Sequence, residues 1–197
     1  MRLIFATNNV NKIKEIGSSI GNNIKVIGLK DAGIFQEIPE PHDTLEANAS
    51  EKSATIYRLT QENCFSEDTG LEVAALNGEP GVKSARYTAG EPQYADPIEK
   101  LLAKLKGVTN RSAQFRTIIS LIINNKEILF EGKCAGRIIE ERRGTNGFGY
   151  DPVFIPDEAD KTFGEMTLDE KKQYSHRARA VAELAAWFTQ NCDNCQP

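Results

Sequence analysis

The sequence predicts an α/β protein built on an open sheet, and three observations carry that expectation. Short apolar runs at Leu3 to Ala6, Ile24 to Leu29, Cys64-Phe65 and Leu71 to Leu76 read as strands, and the segments between them carry helical spacing. Phe115 to Ile123, a turn at Asn124-Asn125 and Ile128 to Phe130 read as an apolar hairpin, central in the sheet. The 197 residues, 40% of them hydrophobic, suffice for one domain, or for one domain split into two lobes around a cleft.

After the first strand, Thr7-Asn8-Asn9 forms a tight loop, and Ile13, Ile16 and Ile20 give a helix running up to Gly21. A strand, a polar turn and a helix N-terminus make a natural anion site, because the first-turn amides point outward unpaired. Lys12 falls in that first turn, where the helix dipole disfavours its charge; a phosphate partner and a solvated surface position both account for it. Pro39-Glu40-Pro41 is stiff and extended and holds Glu40 between its prolines. Asp43 is expected to cap a second helix, with Glu46 at the third helical position. Leu45, Ala49, Ser53, Ile56 and Leu59 give that helix an amphipathic face out to about residue 62. Lys52 lies one turn beyond Asn48 on its flank, where a lysine is ordinarily solvated.

Asn77-Gly78 marks a turn and Glu79-Pro80-Gly81 a second break, followed by Ser84-Ala85-Arg86-Tyr87. Asp96 caps a third helix, with Pro97 at its first position and Glu99 at its third; Ile98, Leu101, Leu102 and Leu105 line its apolar face and Gly107 ends it. The hairpin's second strand continues through Cys134 to Ile139, with Gly132 and Gly136 as bulge candidates. The loop Gly144 to Pro152 has glycines bracketing Phe148 and Tyr150, so its aromatics either offer faces for stacking or pack downward. Thr167 and Glu170 form a capping box for a short helix, and Ser175 caps the last one, whose stripe is Val181, Leu184, Ala185 and Phe188. His176 and Arg177 therefore occupy its first turn, where cations oppose the dipole; a ligand with an anionic or carbonyl group explains them better than stability does.

One stretch, Phe65-Ser66-Glu67-Asp68-Thr69-Gly70-Leu71, delivers two adjacent acids where a strand is expected to break. Strand alternation aims Glu67 and Asp68 to opposite faces, so one is the candidate metal ligand or general base and the other has a different task. Taken alone, Glu-Asp-Thr-Gly is a polar turn.

A net charge of −4 argues against a broad electrostatic footprint for duplex nucleic acid, though locally gathered cations or a metal still permit polyphosphate binding. The opening residues carry too few apolar positions for a signal peptide, and no run approaches the roughly 20 apolar residues a bilayer demands. A cytoplasmic, reduced protein is expected. Cys64, Cys134, Cys192 and Cys195 suggest free thiols rather than a disulfide framework or a zinc site. The tail, 191–197, is expected to fray.

Together these segments resemble the inosine triphosphate pyrophosphatase family over nearly the whole chain. The matching elements are Thr7-Asn8-Asn9 with Lys12; Glu40 with Asn48-Ala49 and Lys52; Glu67 to Leu71; Pro80-Gly81 with Ser84 to Tyr87; Gly147 to Pro152; and Glu170-Lys171 with Ser175-His176-Arg177. The resemblance implies a long, twisted mixed sheet flanked by helices, two lobes around a central cleft, and a homodimer. It makes residues 1–197 a single nucleoside-triphosphate pyrophosphatase domain. It implies magnesium-dependent hydrolysis of ITP, dITP or XTP to the monophosphate and pyrophosphate. By position, Asp68 matches the proton acceptor and a metal ligand, and Glu40 a second metal carboxylate. Thr7, Asn8, Asn9, Lys12, Lys52, Thr69 and Lys171 match triphosphate and sugar contacts; Phe148, Gly149, Tyr150, Asp151, His176 and Arg177 match the base pocket. Asn146 stands where a glycine is common in the family, and Asn tolerates the left-handed backbone.

These residue types suit that chemistry. Hypoxanthine and xanthine present a 6-keto acceptor where adenine has a 6-amino donor, so donors from Arg177, His176 or backbone amides reject adenine. A sister pyrophosphatase for pyrimidine or modified triphosphates, and a nucleotide-binding module without catalysis, are the competing readings. The Ser175-His176-Arg177 element and the Phe148 loop speak against the first.

Overall fold

The structure, a computed structural model, describes residues 1–17, 19–20 and 24–191. In chain order its elements are β1 (Arg2–Phe5), α1 (Val10–Gly17), β2 (Lys25–Ile27), α2 (Leu45–Thr60), β3 (Cys64–Val73) and β4 (Pro80–Gly81). They continue with α3 (Pro97–Lys104), β5 (Ser112–Ile123), β6 (Lys126–Ile138), β7 (Phe154–Pro156), α4 (Leu168–Tyr174) and α5 (His176–Asn191). The strands hydrogen-bond in the order β2-β1-β3-β5-β6-β7, with β4 added to β3. β1 runs parallel to β2 and β3, whereas β3–β4 and β6–β7 are antiparallel, so the sheet is mixed, as the resemblance implies. The Cys192 to Pro197 tail lies outside the described residues.

The chain divides into two compact units. The first comprises Met1–Asp68, Thr117–Glu131 and the described part of Arg179–Pro197. Strand alternation organises it. Leu3, Phe5, Phe65, Ile119, Leu121 and Ile123 point to a face covered by Ile16 of α1 and by Ala180, Val181, Leu184 and Phe188 of α5. Ile4, Cys64 and Ile122 point the other way, toward Ile56 of α2. Phe5 and Phe65, register partners on β1 and β3, stack at 4.3 Å between ring centroids. Burying such a side chain contributes about 1.5–3 kcal/mol.

The second unit comprises Thr69–Arg116 and Gly132–Ala178. Its core joins Leu71 and Val73 of β3 to Ile98, Leu101 and Leu105 of α3, Phe115 of β5, Phe154 of β7 and Phe163. The Asp96 cap forms as expected, accepting from the Glu99 amide at 3.0 Å with Pro97 at the first helical position. Asn124 and Asn125 both adopt the left-handed conformation that a two-residue hairpin turn requires.

Several boundaries differ from expectation. α1 ends at Gly17, and the Gly21 terminus lies outside the described residues. Thr44, not Asp43, caps α2, accepting from the Ala47 amide at 3.1 Å. Both residue types cap well, so sequence leaves a one-residue ambiguity that backbone geometry resolves. α2 ends at Thr60, and Leu59 is half exposed rather than on the buried face. β6 is one strand from Lys126 to Ile138, and Gly136 sits opposite Pro156 of β7 as an ordinary register pair.

The larger correction concerns the acidic stretch. β3 runs unbroken from Cys64 to Val73, so Glu67, Asp68 and Thr69 lie inside a strand. Gly70 is not a turn glycine. A Cβ there would lie 2.5 Å from the Gly81 carbonyl oxygen of β4, and only hydrogen fits that approach. Gly70→Ala is expected to cost about 1–3 kcal/mol by overpacking, read as a lowered urea midpoint. An unchanged midpoint would show that β4 yields freely.

Candidate active site

The alternation that builds the first core also separates the two acids. Glu67 shares the face of Phe65, toward α1, where its side chain is buried and meets the Lys12 ammonium at 2.6 Å. Asp68 shares the face of Cys64 and Ser66, toward α2. Ser66 Oγ donates to the Ala49 carbonyl of α2, fixing helix against strand. Lys52, one turn further along α2, places Nζ 3.1 Å from Asp68 Oδ1 and 2.5 Å from Glu40 Oε1.

Three polar side chains shape the loop before α1. Thr7 Oγ1 accepts from the Asn9 amide at 3.2 Å, Asn9 Oδ1 from the Lys12 amide at 3.3 Å, and Asn8 Oδ1 from the Lys30 amide at 3.1 Å. Asn9 thereby caps α1 and sets Lys12 in the first turn, as expected. The counter-charge that the dipole argument calls for is Glu67, part of the protein itself.

Lys52 is 7% exposed, against the expectation of a solvated side chain. α2 buries Leu45, Asn48, Ala49, Lys52, Ser53 and Ile56, a three-and-four stripe that includes the lysine. Asn48 has its amide group bound at both ends to the His42 backbone: Nδ2 donates to the carbonyl at 3.1 Å and Oδ1 accepts from the amide at 2.9 Å. It therefore clips the segment carrying Glu40 to α2. Asn48, which the motif match names without a role, clips the backbone, and Glu67, the acid expected to have a different, supporting task, pairs with Lys12. The spacing of Asn48 and Lys52 on the Leu45–Ile56 stripe was the signal for their burial.

Burial pushes the Asp68 carboxyl above its usual range; the Lys52 ammonium pulls back against this, and Glu40 adds to the upward push. Among the described residues no group of three or more His, Cys, Asp or Glu converges on a metal position. Two hard carboxylates that already share one cation nevertheless fit magnesium, which commonly binds through one or two carboxylates with phosphates and water completing its shell.

In the second unit, the Phe148 loop is held from beneath. Asp151 is buried, and its Oδ2 accepts from the Phe148 amide at 2.8 Å and from Lys171 Nζ at 2.5 Å. Gly147 and Gly149 take left-handed conformations around Phe148, whereas Asn146 does not, so the family's glycine is not needed there for its backbone. Asn146 instead donates through Nδ2 to the Met166 carbonyl at 3.1 Å. The two aromatics part company: Phe148 is 64% exposed and Tyr150 is 3% exposed, its hydroxyl donating to the Ser84 carbonyl at 2.9 Å. Lys171 Nζ and the Arg177 guanidinium lie 5.0 and 5.7 Å from the Phe148 ring centroid. His176 stacks on Phe115 at 4.7 Å, and both first-turn residues of α5 are buried. Thr69, in β3, also belongs to this unit and is half buried.

Thr167 and Glu170 close the expected capping box at the start of α4. The Thr167 amide, and then Lys161, stabilise the Glu170 carboxylate and hold its pKa down to about 2. A depressed carboxylate stabilises the fold above its unfolded pKa, and that contribution fades as pH falls through the folded value. The wild-type advantage over Glu170→Gln is therefore expected to be full above pH 4.5 and to disappear near pH 2. Carboxyl NMR showing a Glu170 midpoint at the ordinary glutamate value would remove the box from the pH response.

A mixed α/β sheet whose β3 carboxylates meet ammonium groups of α1 and α2, together with a cation-flanked aromatic loop, has the character of a nucleotide-processing enzyme. The Ham1 family model matches residues 3–187, and the chain belongs to that family. It is 47% identical to the dITP/XTP pyrophosphatase of Flavobacterium johnsoniae over 189 residues, covering 96% of this chain and 98% of that protein. The solved Ham1 protein of Staphylococcus aureus superposes with a TM-score of 0.89 at 37% identity, covering 96% of this chain and 99% of the other. The HAM1 protein of Coxiella burnetii gives 0.90 at 32% identity, covering 96% and 99%. No helix among the described residues is long and apolar enough to cross a membrane.

Proposed function

We propose that this chain hydrolyses deaminated purine nucleoside triphosphates, dITP, XTP and ITP, to the monophosphate and pyrophosphate, with Mg2+ as its metal. The observation that carries the reading is the meeting of Glu40, Lys52 and Asp68, which gathers carboxylates for a metal, an ammonium for a phosphate and a candidate base at one point. The names of the relatives support the substrate class.

In this reading Glu40 and Asp68 hold the metal. When bound, magnesium neutralises charge on the phosphate oxygens and the leaving pyrophosphate. Asp68 takes the proton of the attacking water, and its burial moves it toward a more useful base strength. The water oxygen bonds to phosphorus as the bond to the bridging oxygen between the α- and β-phosphates breaks. Lys12 and Lys52 supply positive field to the triphosphate, with the Thr7-Asn8-Asn9 loop and Thr69 as further contacts. Phe148 offers its exposed ring to the purine, Lys171 and Arg177 flank that ring with donors, and His176, stacked on Phe115 next to Arg177 in the chain, is taken as a further base-pocket residue. Tyr150 and Asp151 shape that loop, and Gly149 lets its backbone approach the base.

We take residues 1–197 to act as one catalytic domain and as a homodimer on the strength of the family resemblance, and to work in the cytoplasm on the strength of the cysteine pattern; sedimentation velocity tests the homodimer. The activity is tested by pyrophosphate release from ITP, dITP, XTP, GTP, ATP and dTTP, with and without Mg2+. Metal-dependent release from ITP, dITP and XTP well above ATP and GTP is expected. No release from any of them removes the enzymatic reading, and a preference for dTTP transfers the chain to the pyrimidine-directed sister group.

A further inference from the structure

Lys52 occupies an unusual position for a phosphate-binding residue, because its ammonium already has two anionic partners. Nζ lies 2.5 Å from Glu40 Oε1 and 3.1 Å from Asp68 Oδ1, and the side chain is only 9% exposed. These are the same two carboxylates that the proposed function assigns to the metal. A carboxylate oxygen facing an ammonium at this distance has committed one of its lone pairs, and a divalent cation drawn to the same two carboxylates is repelled by the charge already lying between them.

The carboxylates do not depend on Lys52 for their positions. Asn48 clips the His42 backbone, next to Pro41 and Glu40, onto α2 through both ends of its amide. Ser66, two residues before Asp68, ties β3 to the Ala49 carbonyl of the same helix. Glu40 and Asp68 are therefore brought together by neutral hydrogen bonds, and the lysine is set between two groups that are already close. Its stem is four methylenes long and its ammonium is a compact point charge with rotatable donors, so it can exchange one anion for another by rotamer changes alone.

We propose that Lys52 is a resident counter-ion that keeps the Glu40–Asp68 pair closed to divalent cations until nucleotide phosphates draw the ammonium away. The proposal rests on the reading of Glu40 and Asp68 as the metal carboxylates. With Lys52 in place the three groups carry a net −1, and a divalent cation meets both a weak anionic site and a repelling ammonium. A triphosphate, bringing about four negative charges, offers Nζ stronger partners and frees the carboxylates at the same moment. Metal loading is thus coupled to nucleotide arrival, and without nucleotide the enzyme neither holds the metal nor leaves a partly buried carboxylate pair facing itself.

The test uses Mn2+ alone, a spin-active ion with the same oxygen preference as magnesium, titrated without nucleotide into metal-free protein and followed by loss of the free-ion electron paramagnetic resonance signal. Wild type is expected to bind weakly. Lys52→Met is expected to bind about tenfold or more tightly, because removing a unit charge a few ångströms from a partly buried site is a large electrostatic change. Adding Glu40→Gln to Lys52→Met should return binding to the wild-type level. Equal or weaker binding by Lys52→Met overturns the proposal, as does tight nucleotide-free binding by wild type. Melting curves give a second readout: Lys52→Met should be less stable than wild type without metal and should gain more from added Mn2+. If that variant does not fold without metal, Lys52→Gln, which retains a neutral donor near the carboxylates, carries the same comparison. The proposed activity is judged separately, by pyrophosphate release from wild type. A tightened Mn2+ site with no such release leaves the counter-ion role standing without the reaction, and release with an unchanged site does the reverse.

Discussion

Asp68→Asn is expected to lower kcat for dITP by about 10²- to 10⁴-fold, the range over which a positioned base contributes, and by more if metal binding is lost too. The fold should survive. Asn is nearly isosteric with Asp, and the change removes a carboxyl whose charge burial already disfavours. Lys52 keeps Glu40 as its partner, and Ser66 still ties β3 to α2. Far-UV circular dichroism and the melting temperature should therefore stay close to wild type while single-turnover hydrolysis collapses. Wild-type turnover would remove Asp68 from both base and metal roles.

The second large effect is expected on selectivity rather than rate. Arg177 is buried at the second position of α5, with its guanidinium beside the exposed Phe148 ring. A cation there gains nothing from the helix dipole, and its place beside an exposed aromatic ring suits contact with a ligand. If it donates to the 6-keto oxygen of the base, Arg177→Ala should cut the ratio of kcat/KM for ITP over ATP by about ten- to a hundredfold, the worth of one charged hydrogen bond. The measurement is that ratio, because a packing defect alone would lower both substrates together. An unchanged ratio takes Arg177 out of base recognition.

Local signals read correctly where the governing interactions span three or four residues. The Asp96 and Thr167 caps, the left-handed Asn124-Asn125 turn and the Lys12 position in the first turn of α1 all follow from side chains meeting backbone nearby. The cap of α2 slipped by one residue because Asp43 and Thr44 are both competent and only the backbone path chooses. The strand alternation that separates Glu67 from Asp68 was also legible, since it needs only the period of two.

The continuity of β3 was not legible, and neither was the burial of Lys52. Glu-Asp-Thr-Gly has the local preferences of a turn, and nothing within that stretch opposes them. Its strand conformation depends on residues far along the chain: Lys12 on α1 for Glu67, Lys52 on α2 for Asp68, and Gly81 on β4, whose backbone passes too close for any residue but glycine at 70. By itself the sequence determined the family, the order of the helices and the longer strands, and the opposed aim of the two acids, while β4 passed for a break and β7 went unread. Only the tertiary structure decided that these acids stand in an unbroken strand and that each is met by a lysine, because buried charge is tolerated only where a distant part of the chain returns to neutralise it.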